Sequence, residues 1–96
     1  MNAVVVRASI HNADRTREVL NSQVVPLASR APGFKAGYWT WSAGEGELNV
    51  LAMIIFDSEE NARAANDGVS ANFSQLENRD DITLDAVEVR EVVASA

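Results

Sequence analysis

The sequence predicts an α+β domain with elements in the order β-α-β-β-α-β, forming a four-stranded antiparallel sheet with both helices on one face. Three observations predict it. Runs rich in β-branched residues open and close the chain. Two segments carry apolar residues at spacings of three and four, the period of a helix lying on a sheet. Between those segments, two strand-like runs are separated only by Gly44-Glu45-Gly46-Glu47, whose glycines suit a tight reversal.

The first strand is expected over Val4 to Ile10, with Val4, Val6, Ala8 and Ile10 on an apolar face and Val5, Arg7 and Ser9 on a mixed one. Asn12 or Asp14 can cap the next helix by accepting bonds from its free amides. Leu20, Val24, Leu27 and Ala31 form the stripe of that helix that should lie on the sheet. Pro26 removes a donor and crowds the preceding turn, so a kink or short break is expected between Val24 and Ala28. Ala31-Pro32-Gly33 stops the helix.

The second and third strands are expected over Phe34 to Ala43 and Leu48 to Phe56. Leu51-Ala52-Met53-Ile54-Ile55-Phe56 is apolar on both parities, which argues a central position and a covered second face. Ser58 caps a second helix whose stripe is Ala62, Ala65, Val69, Phe73 and Leu76, with a bend or fraying expected at Gly68. A polar link, Glu77-Asn78-Arg79-Asp80-Asp81, leads to a last strand over Leu84 to Val93. Right-handed crossovers put the first and third strands in the centre of the sheet.

At 96 residues the chain is a single domain, spanning 1–96. With 47% apolar and 23% charged residues it is too apolar for a disordered chain. Eight scattered bases against fourteen acids give a net charge of -6, which repels a phosphate backbone and argues against nucleic acid. No apolar run approaches the roughly 18 residues a bilayer span needs, so no membrane partner is expected. The residues ahead of the first valines lack a basic region and a cleavage site, and a cytoplasmic location is the default expectation. The absence of cysteine excludes disulfides, thiolate catalysis and zinc-thiolate sites.

The candidate functional residues are led by Trp39 and Trp41. Their shared parity sets both indoles on one face of a strand, against a helix, a ligand or a second copy of the chain. Tyr38 has the opposite parity. Replacing both tryptophans by alanine is expected to cost dimer or solubility before any selective chemistry. His11, the only histidine, has Asp14 alone as a near carboxylate and is expected at the surface or capping, with a proton shuttle at a substrate site as the alternative, and no metal site is expected. Arg7, Glu88 and Arg90 fall on neighbouring strands, where a cross-strand ion pair is expected. Pointed into a pocket, Arg7 or Arg90 would instead select anionic or phenolate ligands. Asn72 is a candidate donor. No phosphate-binding glycine motif, nucleophile elbow or carboxylate dyad is present, and no cofactor is expected. Burial in so small a chain barely offsets the cost of ordering it, and the helix-free sheet face exposes large apolar side chains. A homodimer packed sheet to sheet would cover that face.

The two tryptophans, the Ala31-Pro32-Gly33-Phe34 junction and the Phe56-Asp57-Ser58-Glu59-Glu60 step together give a chain that resembles the antibiotic biosynthesis monooxygenase-like domains of the dimeric α+β barrel superfamily. The resemblance covers Val4 to about Val93. It implies a ferredoxin-like fold, a homodimer whose sheets face each other, and a pocket in each subunit between helices and sheet. Relatives include cofactor-independent oxygenases acting on polycyclic phenols, haem-degrading enzymes, small isomerase or decarboxylase relatives, and proteins of no known activity. The haem degraders use a histidine on the second helix, an asparagine on the first strand and a tryptophan on the third. Here the second helix has no histidine, the third strand no tryptophan, and Asn2 precedes the expected first strand, so haem degradation is not expected.

Three functional readings follow. One is a dimeric domain without catalysis, or one that binds a small apolar or aromatic metabolite. Another is a monooxygenase using molecular oxygen on a phenol, with Trp39 or Trp41 lining the site, Tyr38 or Asn72 donating, and Arg90 or Arg7 stabilising negative charge. The last is a subunit or regulatory partner in a larger complex.

Overall fold

The computed structural model describes residues 1–42, 47–76 and 79–96, with only the backbone described at Ser70 and Arg79. Ala43, the expected end of the second strand, the hairpin residues Gly44, Glu45 and Gly46, and Glu77 and Asn78 of the polar link therefore lie outside the described residues.

Strand β1 (Asn2–Ile10) leads into helix α1 (Ala13–Val19), a π-helical turn (Leu20–Val24) and helix α2 (Val25–Ser29). Strands β2 (Phe34–Trp41) and β3 (Leu48–Phe56) follow, then helix α3 (Glu59–Phe73), a 3-10 turn (Arg79–Asp81) and strand β4 (Ile82–Glu91). The strands lie in the order β2-β3-β1-β4, with every neighbouring pair antiparallel. This is the ferredoxin-like split β-α-β arrangement, with the helices on one face of the sheet.

Both central strands have the sequence expected of them. β1 pairs with β3 and β4 along its length, so Asn2, opposite Phe56 and Glu91, belongs to the strand instead of preceding it. β4 begins and ends two residues earlier than expected. Ile82 pairs with Ile10 at one end, while Val92 donates its amide to the Met1 carbonyl just beyond the other. The register of β4 slips between Arg7 and Ala8, a bulge that absorbs Asp85.

Asn12 caps α1, its Oδ1 accepting from the Arg15 amide at 3.0 Å. Pro26 perturbs the helix as expected, but the distortion falls upstream. Leu20–Val24 widens into a π turn in which the Val25 amide bonds the Leu20 carbonyl. The wider turn relieves the crowding of the proline ring against the preceding carbonyls while the chain stays helical. α3 runs unbroken through Gly68 and ends at Phe73, short of Leu76. Its first turn holds Glu59 and Glu60 at the positive helix end, and the Ser58 hydroxyl accepts from the Asn61 amide at 3.2 Å.

Two junctions far apart in sequence meet in space. Gly33, at φ +78°, lies in the turn between the end of α2 and β2, and its carbonyl accepts the Asp57 amide at 2.9 Å. A side chain at Gly33 would collide with Asp57 Oδ1 and Asn61 Nδ2, which bond each other at 2.8 Å. The left-handed backbone favours glycine here, and a larger residue would also push these two side-chain ends aside.

Under this junction, Val4, Ala52, Ile54, Phe56 and Ala62 form the buried core, with Phe34 set edge-on against Phe56 at 6.4 Å between ring centroids. The other sheet face carries no helix among the described residues. There Tyr38 is 65%, Met53 42% and Leu51 41% exposed, with Tyr38 opposite Met53 and Leu51 opposite Thr40 in the β2–β3 register.

Candidate functional site

The helix-facing side of the sheet carries small residues at its centre. Ala8 on β1 pairs with Val50, Ala52 on β3 pairs with Val6 and Trp39, and Gly37 on β2 pairs with Ile54. Above them the π turn and α2 bridge over the sheet, and α3 closes the other side. The result is a cavity of about 180 Å³ between helices and sheet.

Its floor is Val6, Ala8 and Ile10 from β1, Val50, Ala52 and Ile54 from β3, and Ile82 and Leu84 from β4. Leu20, Val24 and Leu27 form one wall, Val69 and Phe73 the other, and the Trp39 indole closes the β2 side. Leu27, 49% exposed, stands at the rim. Two polar side chains reach the lining, Thr16 from α1, which is buried, and Asn72 from the last turn of α3. Among the described residues no lining side chain is titratable.

This geometry divides the residues singled out from sequence. Trp39 and Asn72 share the cavity. Trp41, opposite Val50, is on the same side of β2, and the Arg17 guanidinium sits 5.3 Å from its ring centroid. Neither indole lies on the open sheet face: Trp39 borders the cavity, and Trp41 lies beside Arg17 of α1. Tyr38, as its parity requires, is on the open face, away from the cavity.

Arg7 and Arg90 are on that open face too, exposed. The expected ion pair forms within β4, between Glu88 and Arg90 at 2.9 Å, instead of across strands, because residues two apart on one strand share a face. Arg7 makes no ion pair among the described residues; it borders a second depression together with Trp41, Thr40, Asn49 and Asp85, where Ser9 Oγ donates to Asp85 at 2.9 Å. His11 is exposed at the end of β1, with Nδ1 3.8 Å from Glu47 and its amide donating to the Asp81 carbonyl at 2.9 Å. Among the described residues no three His, Cys, Asp or Glu side chains cluster as metal ligands would.

Sequence reasoning missed Gly37 and the walls Leu20, Val24 and Phe73 as parts of one site. The available signal was the run of small residues, Gly37, Ala8 and Ala52, at helix-facing positions opposite long side chains.

A ferredoxin-like α+β sheet with one helical layer and an apolar cavity between them defines the structural class. The chain has the fold of the antibiotic biosynthesis monooxygenase-like domains of the dimeric α+β barrel superfamily. No protein-family model and no curated protein matches it. Among solved structures it is similar to SnoaB, a cofactor-independent oxygenase from Streptomyces nogalater, with 13% identity over 98% of this chain and 95% of that one and a TM-score of 0.65. A dimeric ferredoxin-like protein from an uncultured marine organism matches with 12% identity over 100% of this chain and 98% of its own, at a TM-score of 0.63. The heme-degrader MhuD from Mycobacterium tuberculosis matches with 20% identity over 98% of both chains, at a TM-score of 0.61. At these identities the likeness is one of fold, and fold alone does not choose a reaction. Among the described residues no helix is long and apolar enough to cross a membrane.

Proposed function

We propose that this protein is a small homodimeric domain that holds a neutral apolar or aromatic molecule between helices and sheet. The observation that carries the reading is the lining of the cavity: aliphatic on floor and walls, aromatic at Trp39 and Phe73, with no titratable side chain among the described residues. An ion entering would lose hydration with no charged partner among the described residues to replace it, which favours an uncharged ligand. A dry cavity of roughly 150 Å³ is known to accept benzene, and at about 180 Å³ this one suits a ligand of one or two rings. Asn72 offers one polar contact to orient it.

The dimer follows from the open sheet face, where Tyr38, Leu51 and Met53 adjoin one another across β2 and β3. A twofold partner presenting the same face would bury them. The superfamily likeness and the dimeric marine protein of the same fold support that arrangement.

A second reading, oxidation of a phenol by molecular oxygen without a cofactor, is favoured by Trp39 and Asn72 sharing one cavity and by the likeness to SnoaB. Such chemistry needs a group to take the phenolic proton. Arg7, Arg90 and Tyr38 are on the opposite sheet face, and no lining side chain among the described residues is a base, which favours binding. The test is a titration followed by tryptophan fluorescence, with toluene and naphthalene against benzoate, and oxygen uptake recorded with 1-naphthol. Saturable binding of the hydrocarbons with no response to benzoate is expected. Preference for benzoate overturns the neutral-ligand reading, and oxygen uptake restores the oxygenase one.

A further inference from the structure

The Trp39 side chain does not stand straight off its strand. A Cβ built on Gly37, two residues earlier on the same face of β2, would be 2.7 Å from the indole Cη2 and 2.8 Å from Cζ3. The indole therefore lies back along the strand, its outer ring in the space that any other residue at position 37 would fill. Gly37 has no positive φ to explain it, so its backbone imposes no demand for glycine. Its role is steric.

We propose that Gly37 is a positioning residue that seats the Trp39 indole flat on the sheet, and that this pair sets the ring-size limit of the cavity. The inference rests on the binding function proposed above. The seat is bounded on one side by Phe34, whose Cε2 is 3.4 Å from the same Cβ position and which is braced edge-on against buried Phe56. With the sheet below and that aromatic pair beside it, an indole displaced from the seat moves up into the cavity. The space lost is the space a second ring occupies.

The test compares wild type, Gly37→Ala, Trp39→Phe and the double variant, with toluene and naphthalene as probes. Gly37→Ala should weaken naphthalene binding by about tenfold or more, the discrimination expected when a pocket loses room for a few carbons, while leaving toluene binding within about threefold. Phenylalanine lacks the outer indole ring, so the double variant should regain naphthalene binding. That rescue separates a steric seat from general disruption of β2.

Equal loss of both ligands, no loss of either, or failure of the double variant to recover overturns the proposal. If the wild type binds neither hydrocarbon, the binding reading and the size limit fall together, and near-ultraviolet circular dichroism then judges the seat alone. Gly37→Ala must alter the indole band that disappears in Trp39→Phe; an unaltered band overturns the seat as well.

Discussion

Replacing Gly33 by alanine makes one position meet two penalties that the structure specifies separately. The backbone there is at φ +78°, a left-handed conformation that costs an ordinary residue about 1–2 kcal/mol. The new methyl would also collide with Asp57 Oδ1 and Asn61 Nδ2, breaking their 2.8 Å hydrogen bond and loosening the Asp57 amide from the Gly33 carbonyl. Each exposed bond of this kind contributes about 1 kcal/mol. Alanine restricts the unfolded chain, which returns about 0.4–1 kcal/mol. The net expectation is a loss of about 2 kcal/mol, or about 8–16 °C in Tm for a domain of this size. Urea and thermal unfolding followed by tryptophan fluorescence measure it, at one fixed protein concentration because self-association would shift Tm. Asn61→Ala in the Gly33→Ala background should recover part of the loss by vacating the contested space. A Gly33→Ala variant within about 0.5 kcal/mol of wild type, the range of an ordinary surface change, refutes the junction as described.

Met53→Glu places a charge in the middle of the open apolar face and should convert a dimer to a monomer in sedimentation velocity with the far-ultraviolet circular dichroism unchanged; a dimeric variant refutes that face as the contact. Phe56 is 2% exposed beneath both junctions, and Phe56→Ala should destabilise the fold by about 3–5 kcal/mol in urea titration, with a loss below 1 kcal/mol contradicting its place in the core.

The strand order was legible from two sources: β3 is apolar on both parities, as a central strand is, and the right-handed crossovers place β1 beside it, although the pattern of β1 alone does not mark it as central. The opposite orientations of Tyr38 and Trp39 were equally legible from parity. Which of the two faces the helices was not, because β3 offers apolar neighbours to either one: Met53 opposite Tyr38, Ala52 opposite Trp39. Pro26 announced a distortion, but its resolution as a π turn five residues long depends on how the helix is held at both ends, which no local pattern records.

The site was harder to read than the fold for a simple reason. An apolar residue that fills a core and one that walls a cavity have the same side chain, so Leu20, Val24 and Phe73 carried no mark of their position. Arg7 and Arg90 looked like ligand-binding candidates because they are charges on a small sheet. The strand period sends both to the face away from the cavity. Asn72 and Trp39 were found from residue type, whereas Gly37 acquires a role only when the indole is seen lying over it.

The central claim is that the space between helices and sheet receives a neutral ligand while the opposite face serves for self-association. Methyl-detected NMR of protein labelled at Ile, Leu and Val, titrated with toluene, tests it most directly. The account predicts saturable shifts at Ile10, Val24, Ile54 and Leu84, with Leu51 and Ile55 unmoved. Shifts confined to Leu51 and Ile55, or none at saturating toluene, would contradict it.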